Sequence, residues 1–169
     1  MDRIRIKLGI IWQYVCYLIR HKWYVLIASF FTKAPLWLIL KHDLSKLYPV
    51  EFYGYSQYLL LVADEELVAK SWLHHQNRNK HHWEYWISRS PHVNLPDAEG
   101  DELLLPMPDK YVREMVSDWL AARYRKTGSW DLTDWLKEHS HKMRFHDITR
   151  KRLKDVLMQA CGKRVSDMI

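Results

Sequence analysis

Apolar residues recur every three or four positions along most of the chain, the spacing expected of α-helices that bury one face. The first helix is predicted from Arg3, and its apolar face continues to about Thr32. Pro35 then restarts the chain and opens a short, very apolar helix that ends at His42. Later helices are predicted to start where a proline or a capping residue stands, at Pro49, Asp64, Pro108 and Asp147, and a short helix is predicted near Leu132 to His139. This pattern predicts an all-α fold.

Composition favours one compact helical domain. The chain has 169 residues, the usual size of a single domain and enough to bury its own core. Nine tryptophans, ten tyrosines and four phenylalanines stand against only five glycines, so large rings fill the interior and a β-sandwich would lack turn residues. We expect one domain over residues 1–169, with its core at 10–125 and a C-terminal helical extension at 126–169.

The apolar N-terminal region raises the question of a membrane anchor. Residues 10–40 are rich in Ile, Leu, Trp and Phe, but Arg20 and Lys22 interrupt the run, and Lys33 and Pro35 interrupt it again. No uninterrupted stretch reaches the roughly 18 to 20 apolar residues that a membrane span requires. No small-residue cleavage site follows a charged leader either. We therefore expect no membrane contact and a cytoplasmic location.

Charge and cysteine content narrow the class of partner. The net charge of +6 suits a ligand that bears phosphate. The basic residues form no run of five, so nucleic-acid binding is permitted but not indicated. Cys16 and Cys161 lie near opposite ends without a CxxC motif, which argues against a zinc ribbon or a disulfide framework and is typical of a reducing cytosol. A homo-oligomer is compatible with this composition.

The most unusual stretch is residues 71–86, which carries four histidines and two asparagines. In an unbroken helix, one stripe would present three ligand-like side chains to the interior: His75, Asn79 and His82. The neighbouring stripe contains an arginine, so its two histidines are expected to be exposed: His74 and His81. Residues 90–107 are rich in Pro, Asp, Asn and Gly and are predicted to form a long loop, a lid or a wall of a site, with His92 exposed.

The inward polar residues form a set of metal ligands. His42 and Asp43 are adjacent at the end of the short helix, and Asp118 shares a predicted buried stripe with Met115 and Ala122. Imidazole and carboxylate donors suit Mn, Fe, Zn, Ni or Mg, and the absence of thiolates argues against a closed structural zinc site. The sequence therefore predicts an open divalent-metal site held by His21, His42, Asp43, His75, His82 and Asp118.

The order of these residues resembles the HD-domain superfamily of metal-dependent phosphohydrolases, whose metal is held by a His, an HD doublet and a later Asp. The matching residues here are His21, the doublet His42 and Asp43, and Asp118. Four blocks resemble more closely a family of uncharacterised phage and bacterial proteins: HDLSK at 42–46, EF at 51–52, HHQNRNKHHWEYW at 74–86 and MPDKYVREMVSDW at 107–119. The resemblance implies an HD-like helical bundle and, for a phage-encoded protein, the host cytoplasm.

The resemblance also implies a phosphohydrolase acting on a small phosphorylated substrate, with a nucleotide as the leading candidate, in phage nucleotide metabolism or counter-defence. Asp43 or Asp118 would orient the attacking water. Lys46, where HD nucleotidases often carry a glutamate, would neutralise phosphate, helped by Arg78 or Lys80. His75 and His82 would hold a second metal or donate a proton to the leaving group. Asn79 would hold a water or a substrate hydroxyl, and Glu84 is a lower-ranked catalytic candidate.

Two other functions remain open from the sequence. A di-iron oxygenase would use the same His and Asp residues on an HD-like scaffold. A non-enzymatic interaction protein would use them to hold a structural metal, or would hold none.

Overall fold

The computed structural model describes residues 2–59, 64–89 and 102–169. Over these ranges the chain forms eight α-helices and one two-stranded sheet, so the predicted single-domain all-α fold is confirmed. The helices are α1 (Asp2–Thr32), α2 (Leu36–Lys41), α3 (Pro49–Leu59), α4 (Glu65–Gln76), α5 (Asp109–Thr127), α6 (Thr133–His139), α7 (Asp147–Cys161) and α8 (Lys163–Ser166). Short 3₁₀ helices occur at Leu44–Leu47, Trp83–Trp86 and Ser140–Lys142.

A tight turn joins α1 to α2. Lys33 adopts a left-handed conformation with φ of 57°, and the Ala34 N–H donates to the Ser29 carbonyl, as at many helix ends. Pro35 then occupies the N-cap of α2 in an extended conformation. The new helix predicted after Pro35 is therefore confirmed, and the turn places it against the side of α1.

Helices α3 and α4 pack closely at one point. A side chain on Gly54 would place its Cβ 1.9 Å from Ser71 Oγ, so only glycine permits this approach. The predicted N-cap of α4 is confirmed, because Asp64 accepts a hydrogen bond from the Leu67 N–H at 2.7 Å. This contact fixes the two helices on which Glu51 and His75 lie.

The prediction of one unbroken helix through residues 71–86 is wrong. Helix α4 ends at Gln76, and the chain turns through Asn77 with the Arg78 and Asn79 N–H groups both donating to the His75 carbonyl. Asparagine is a weak helix former that favours turns, which accounts for the break. Residues beyond the break therefore do not follow the helical stripe.

A short antiparallel sheet follows, with β1 (Ile87–Arg89) paired to β2 (Glu102–Leu104) in the register Ile87 to Leu104. Part of the predicted loop at 90–107 is thus a strand. Residues 90–101, including His92, lie outside the described residues, as does any lid that they would form.

The main hydrophobic core lies between α5 and α7. Its fully buried members include Val112, Met115, Val116, Leu120, Leu153, Val156 and Leu157. Each such side chain contributes about 1.5 to 3 kcal/mol by leaving water. Because α7 supplies Leu153, Val156 and Leu157, the segment predicted as a C-terminal extension shares the main core. The cap of α7 is His146, whose Nδ1 accepts from the Ile148 N–H, and not Asp147.

Within the described ranges, no helix has the length and apolar character needed to cross a membrane.

Candidate metal centre

Five separate pieces of backbone bring histidines and aspartates together at the centre of the fold. His21 comes from α1, His75 from α4 and Asp118 from α5. The remaining residues lie outside regular helices: His42 and Asp43 directly after α2, and His81 and His82 directly before the 3₁₀ helix at Trp83–Trp86. The site therefore depends on the tertiary structure and not on any single helix.

The backbone at Asp43 is unusual. Its φ of 58° and ψ of 20° place it in the left-handed region, which an aspartate adopts more readily than most residues. Lys22 Nζ donates to the Leu40 and His42 carbonyls at 2.7 and 3.1 Å and so holds the end of α2 against α1. The left-handed turn allows two consecutive side chains, His42 and Asp43, to face the same point.

The first ligand group contains His21, His42, Asp43 and Asp118, with one donor atom of each within 4.8 Å of the others. Asp43 Oδ2 lies 3.3 Å from His42 Nε2 and 3.6 Å from His21 Nε2. Asp118 Oδ1 lies 3.0 Å from His21 Nε2 and 3.6 Å from His42 Nε2. Two imidazoles and two carboxylates thus surround one point.

The second ligand group contains Asp43, His75, His81 and His82, again within 4.8 Å. Here the other oxygen of Asp43 is used: Oδ1 lies 3.4 Å from His75 Nε2 and 3.5 Å from His81 Nε2. The rings of His81 and His82 are 4.3 Å apart, and those of His75 and His82 are 4.8 Å apart. Asp43 therefore lies between the two groups and offers one oxygen to each.

Several of these atoms are buried without a hydrogen-bond partner. They are both ring nitrogens of His21, Nε2 of His42, His81 and His82, and Oδ1 of Asp43. Buried polar atoms in folded proteins nearly always have a partner, and each orphan costs roughly 1 to 3 kcal/mol. The close but poorly aligned contacts among them are the arrangement expected of atoms that share a cation.

A second layer of carboxylates orients the histidine rings. Glu114 Oε1 accepts from His42 Nδ1 at 3.0 Å and lies 3.3 Å from His81 Nδ1. A carboxylate that accepts a hydrogen bond from Nδ1 keeps the ring proton on that nitrogen. The lone pair of Nε2 is then free to bind a metal. Glu114 itself is buried four residues before Asp118 on α5, so both carboxylates face the same side of that helix.

Glu51 orients a histidine ring of the second ligand group in the same way. It is 0 % exposed, and its Oε2 accepts from His75 Nδ1 at 2.8 Å and from Ser45 Oγ at 2.9 Å. Its Oε1 lies 2.5 Å from His74 Nδ1. His74, predicted to be exposed, is thus partly buried as a partner of Glu51.

Asn79 takes a structural position instead of the predicted substrate contact. Its side-chain amide donates to Ser45 Oγ at 2.6 Å and to the His75 carbonyl at 2.8 Å. It does not line the cavity described below. Asn79 therefore holds the turn after α4 in place.

The surroundings set the charges of these groups. Burial raises the pKa of Asp43, but the neighbouring cationic groups, His42 and Lys46 first, outweigh it and hold the pKa well below its usual value. Burial raises the pKa of Asp118 as well, but the close imidazoles of His21 and His42 outweigh it and keep the pKa well below its usual value. Burial, then His81 and His75, lower the pKa of His82, so this ring stays neutral. Ionised carboxylates and a neutral imidazole are the forms that bind metals.

His42 is the exception among the ligands. Burial lowers its pKa, but Asp43, Asp118 and Glu114 together raise the pKa well above its usual value. Without a cation this ring therefore carries a proton, which an arriving ion would displace.

The donor set fits one or two divalent ions. Nitrogen and oxygen donors without thiolate suit Mn, Fe, Zn or Ni, and a buried carboxylate between two groups of imidazoles favours two adjacent ions over one. The predicted metal ligands are thus brought together as a set. His81, predicted to be exposed, is buried and joins the second group, because the break after α4 turns it inward.

The site opens into a cavity of about 640 Å³, a typical volume for a small-molecule site. Its walls are strongly aromatic, with Tyr17, Tyr55, Trp72, Trp83, Trp119 and Trp135 among the lining residues. Lys46 and Glu84, both predicted as catalytic, line it as well. Lys46 Nζ lies 2.5 Å from Asp43 Oδ2, and Glu84 Oε2 is buried without a partner.

Other polar residues of the cavity were not expected from the sequence. The hydroxyls of Tyr14 and Tyr55 are buried and have no hydrogen-bond partner. Arg125, stacked 4.7 Å from the centre of the Tyr17 ring, and Lys142 supply positive charge. Arg78 and Lys80, the cations that the sequence suggested, do not line the cavity, because Arg78 bonds His74 and Lys80 lies over Tyr85.

Removing the negative charge of Glu114 should weaken metal binding without unfolding the protein. In Glu114→Gln the Nδ1 protons of His42 and His81 lose a charged acceptor, and we expect divalent-metal affinity to fall by about 10- to 100-fold. Calorimetric titration with Mn²⁺ and Zn²⁺ measures the change, with circular dichroism as the check on folding. Glu66→Gln, on the exposed side of α4, is the matched control. Equal affinities for Glu114→Gln and wild type would contradict the proposed second layer.

Comparison with known proteins gives a family but no activity. No match to the chain was found among curated proteins or among solved structures. The HD-domain resemblance therefore stays a prediction. Residues 10–159 match a family of unknown function, DUF5662, and this range includes every candidate ligand described above. Since the match extends over most of the sequence, the chain belongs to the DUF5662 family.

Proposed function

We propose that the protein is a metal-dependent phosphohydrolase that releases phosphate from a nucleotide or a related phosphate ester. The observation that carries this proposal is the position of Asp43, with one oxygen towards each of two histidine-rich groups whose outer members line an aromatic cavity. A divalent ion in such a site supplies Lewis-acid polarisation of a phosphoryl oxygen and activation of water. His21, His42, Asp43 and Asp118 would hold the first ion, and His75, His81 and His82 with Asp43 the second.

Lys46 is the residue best placed to bind the phosphoryl group. Its ammonium contacts Asp43 Oδ2 and lines the cavity, so it borders both the ligand groups and the substrate space. Asp43 raises the pKa of Lys46 despite burial, which keeps the side chain charged. A fixed positive charge at this point stabilises the negative charge that develops on the phosphoryl oxygens.

The hydroxyls of Tyr14 and Tyr55 add two neutral donors beside Lys46. The Lys46 ammonium lies 6.0 Å from the centre of the Tyr55 ring. Burial, as the largest effect, raises the pKa of both phenols, so they remain protonated and able to donate. Unpaired donors next to an ammonium suit the non-bridging oxygens of a phosphate.

Proton transfer falls to Asp118 and Glu84. Asp118 would accept the proton of the attacking water, since its carboxylate is ionised and lines the cavity. Burial raises the pKa of Glu84, which favours a protonated carboxyl able to donate to the departing oxygen. In this scheme water attacks phosphorus, the P–O ester bond breaks, and the alcohol leaves with the proton from Glu84.

The walls of the cavity favour a nucleotide over a small polar ester. Stacking on aromatic rings stabilises a nucleobase by about 1 to 3 kcal/mol per ring, whatever the base. Arg125 and Lys142 line the same cavity and would bind additional phosphates or the polar edge of a base. The substrate class is therefore a nucleoside phosphate.

A di-iron oxygenase is the second candidate. The position of Asp43 between the two ligand groups favours an oxygenase as much as a hydrolase, because paired sites of imidazole and carboxylate also suit iron. The two functions differ in co-substrate: the oxygenase consumes dioxygen, whereas the hydrolase consumes only water.

Phosphate release from a panel of nucleoside mono-, di- and triphosphates tests the proposal. Protein purified without a histidine tag and loaded with Mn²⁺, Fe²⁺ or Zn²⁺ should release inorganic phosphate from at least one of them. Asp43→Asn should lower kcat by at least about 1,000-fold and abolish stoichiometric metal binding, because both ligand groups lose their shared carboxylate. Asparagine tolerates the left-handed backbone at this position, so the fold should persist.

The matched control is Asp155→Asn, an exposed aspartate on α7, which should leave kcat unchanged. No phosphate release with any metal would contradict the hydrolase. Oxygen uptake and an optical band in the iron-loaded protein would then favour the oxygenase. A folded protein that binds no metal would contradict both.

The proposed role of Glu84 has a test of its own. Glu84→Gln should slow hydrolysis of nucleotides, whose alkoxide leaving groups need a proton, by about 100-fold or more. An activated aryl phosphate needs no such proton and should be hydrolysed at nearly the wild-type rate. Steady-state kinetics on the two substrates give the comparison. An equal loss on both would assign Glu84 to the structure of the cavity wall instead.

A further inference from the structure

The outward face of α1 carries large apolar side chains. Trp12, Ile19, Trp23 and Phe30 are 68 %, 64 %, 59 % and 69 % exposed. Single exposed apolar residues are ordinary on protein surfaces, but four on one stripe of one helix are not. A face of this kind normally packs against another surface.

The spacing of this face follows a coiled-coil seam. The apolar positions alternate by four and three residues, at Trp12, Cys16, Ile19, Trp23, Leu26 and Phe30. At 100° per residue, this stripe lies roughly 160° around α1 from the core-facing stripe of Tyr14, His21 and Val25. Helix α1 is therefore apolar on two opposite faces. The described fold covers the first, whereas on the second Leu26 packs against a small core cluster and the four large side chains above stay exposed.

The next elements extend the apolar surface. Leu36, Trp37 and Leu40 on α2, and Leu44 and Leu47 in the following 3₁₀ helix, are each half exposed or more. The bonds from Lys22 to the Leu40 and His42 carbonyls hold this segment beside α1. With on the order of 100 Å² from each large side chain, the α1 and α2 surface offers roughly 900 Å² per chain. A standard protein interface buries about 800 Å² per partner.

We propose that this surface is the interface of a two-fold homodimer in which α1 packs antiparallel against α1 of a second copy. The seam is self-complementary about the level of residue 21. A two-fold axis there pairs Trp12 with Phe30, Cys16 with Leu26, and Ile19 with Trp23 of the second copy. Each pair then occurs twice, as an isologous interface requires. The proposal does not depend on the enzymatic function.

Charge favours a second copy over an anionic membrane. The positions that flank the seam are Gln13, Arg20 and Ile27 on one side and Val15, Lys22 and Ser29 on the other. Lys22 is engaged by backbone carbonyls, and Arg20 Nε contacts the Cys16 carbonyl at 3.4 Å. A membrane-surface helix is rimmed by many free cations, whereas four of these six flanking residues carry no charge. On the α2 part of the surface, Lys41 and Lys110 lie over the Trp37 ring.

Sedimentation velocity on the full chain tests the dimer. The wild type should sediment with a mass near twice the 20.5 kDa of one chain at micromolar concentration. Ile19→Glu with Trp23→Glu should become monomeric, with association weakened at least 100-fold, while circular dichroism and metal content stay unchanged. Ile148→Glu places the same charge on an exposed apolar residue of α7 and should remain dimeric.

Cross-linking tests the orientation without relying on a charged variant. In Leu26→Cys with Cys161→Ser, the introduced thiol should form a disulfide with Cys16 of the second copy. Within one helix these positions are about 15 Å apart, too far to be joined. A monomeric wild type at 100 μM, or a dimer that persists in Ile19→Glu with Trp23→Glu, would overturn the proposal. Binding of the monomer to vesicles of anionic phospholipid would assign the surface to a membrane instead.

Discussion

The charge buried around Asp43 is the constraint on which the rest of the structure depends. Four carboxylates, Asp43, Glu51, Glu114 and Asp118, share the interior with five imidazoles. Burying ionised groups without water costs several kcal/mol each unless partners of opposite charge are close. Glu51 and Glu114 are satisfied by ring N–H groups, but Asp43 Oδ1 and the Nε2 atoms of His21, His42, His81 and His82 are buried without a hydrogen-bond partner. A divalent cation on each side of Asp43 would give all of these atoms a partner.

The helices around the site follow from this constraint. Helix α5 carries both Glu114 and Asp118, so one helix supplies a ligand and the carboxylate that orients two others. Helix α1 contributes His21 on its inner face and the proposed dimer seam on its outer face. A partner packed on α1 would hold the helix against the site from behind. Assembly and metal binding would then stabilise the same element.

Most of the helices could be predicted from the sequence, because proline, capping residues and apolar spacing are local signals. The set of ligands was also largely predictable, since His42 and Asp43 are adjacent and Asp118 lies on an apolar face. The burial of His81 could not be predicted from helical periodicity, because helix α4 ends before Asn77 and the residues after it no longer follow the helical spacing. The two asparagines in that stretch were the available signal for the break.

The two carboxylates that orient the histidine rings, Glu51 and Glu114, were not predicted, and the reason is different. Glu51 lies in one of the blocks that carry the family resemblance, but the sequence assigns it no role, because its burial depends on contacts with α4 that the sequence does not display. Glu114 could have been found, because it stands one helical turn before Asp118 on the same face. The unpaired hydroxyls of Tyr14 and Tyr55 depend on tertiary contacts alone, which local sequence patterns do not describe.

Anomalous diffraction from crystals grown with Mn²⁺ would locate the ions of the proposed metal centre. We expect two anomalous peaks about 3.5 to 4 Å apart, one on each side of the Asp43 carboxylate. The first should lie among His21, His42 and Asp118, and the second among His75, His81 and His82. A single peak between the two groups would reduce the centre to one ion. The absence of any peak near Asp43 would contradict the metal centre itself.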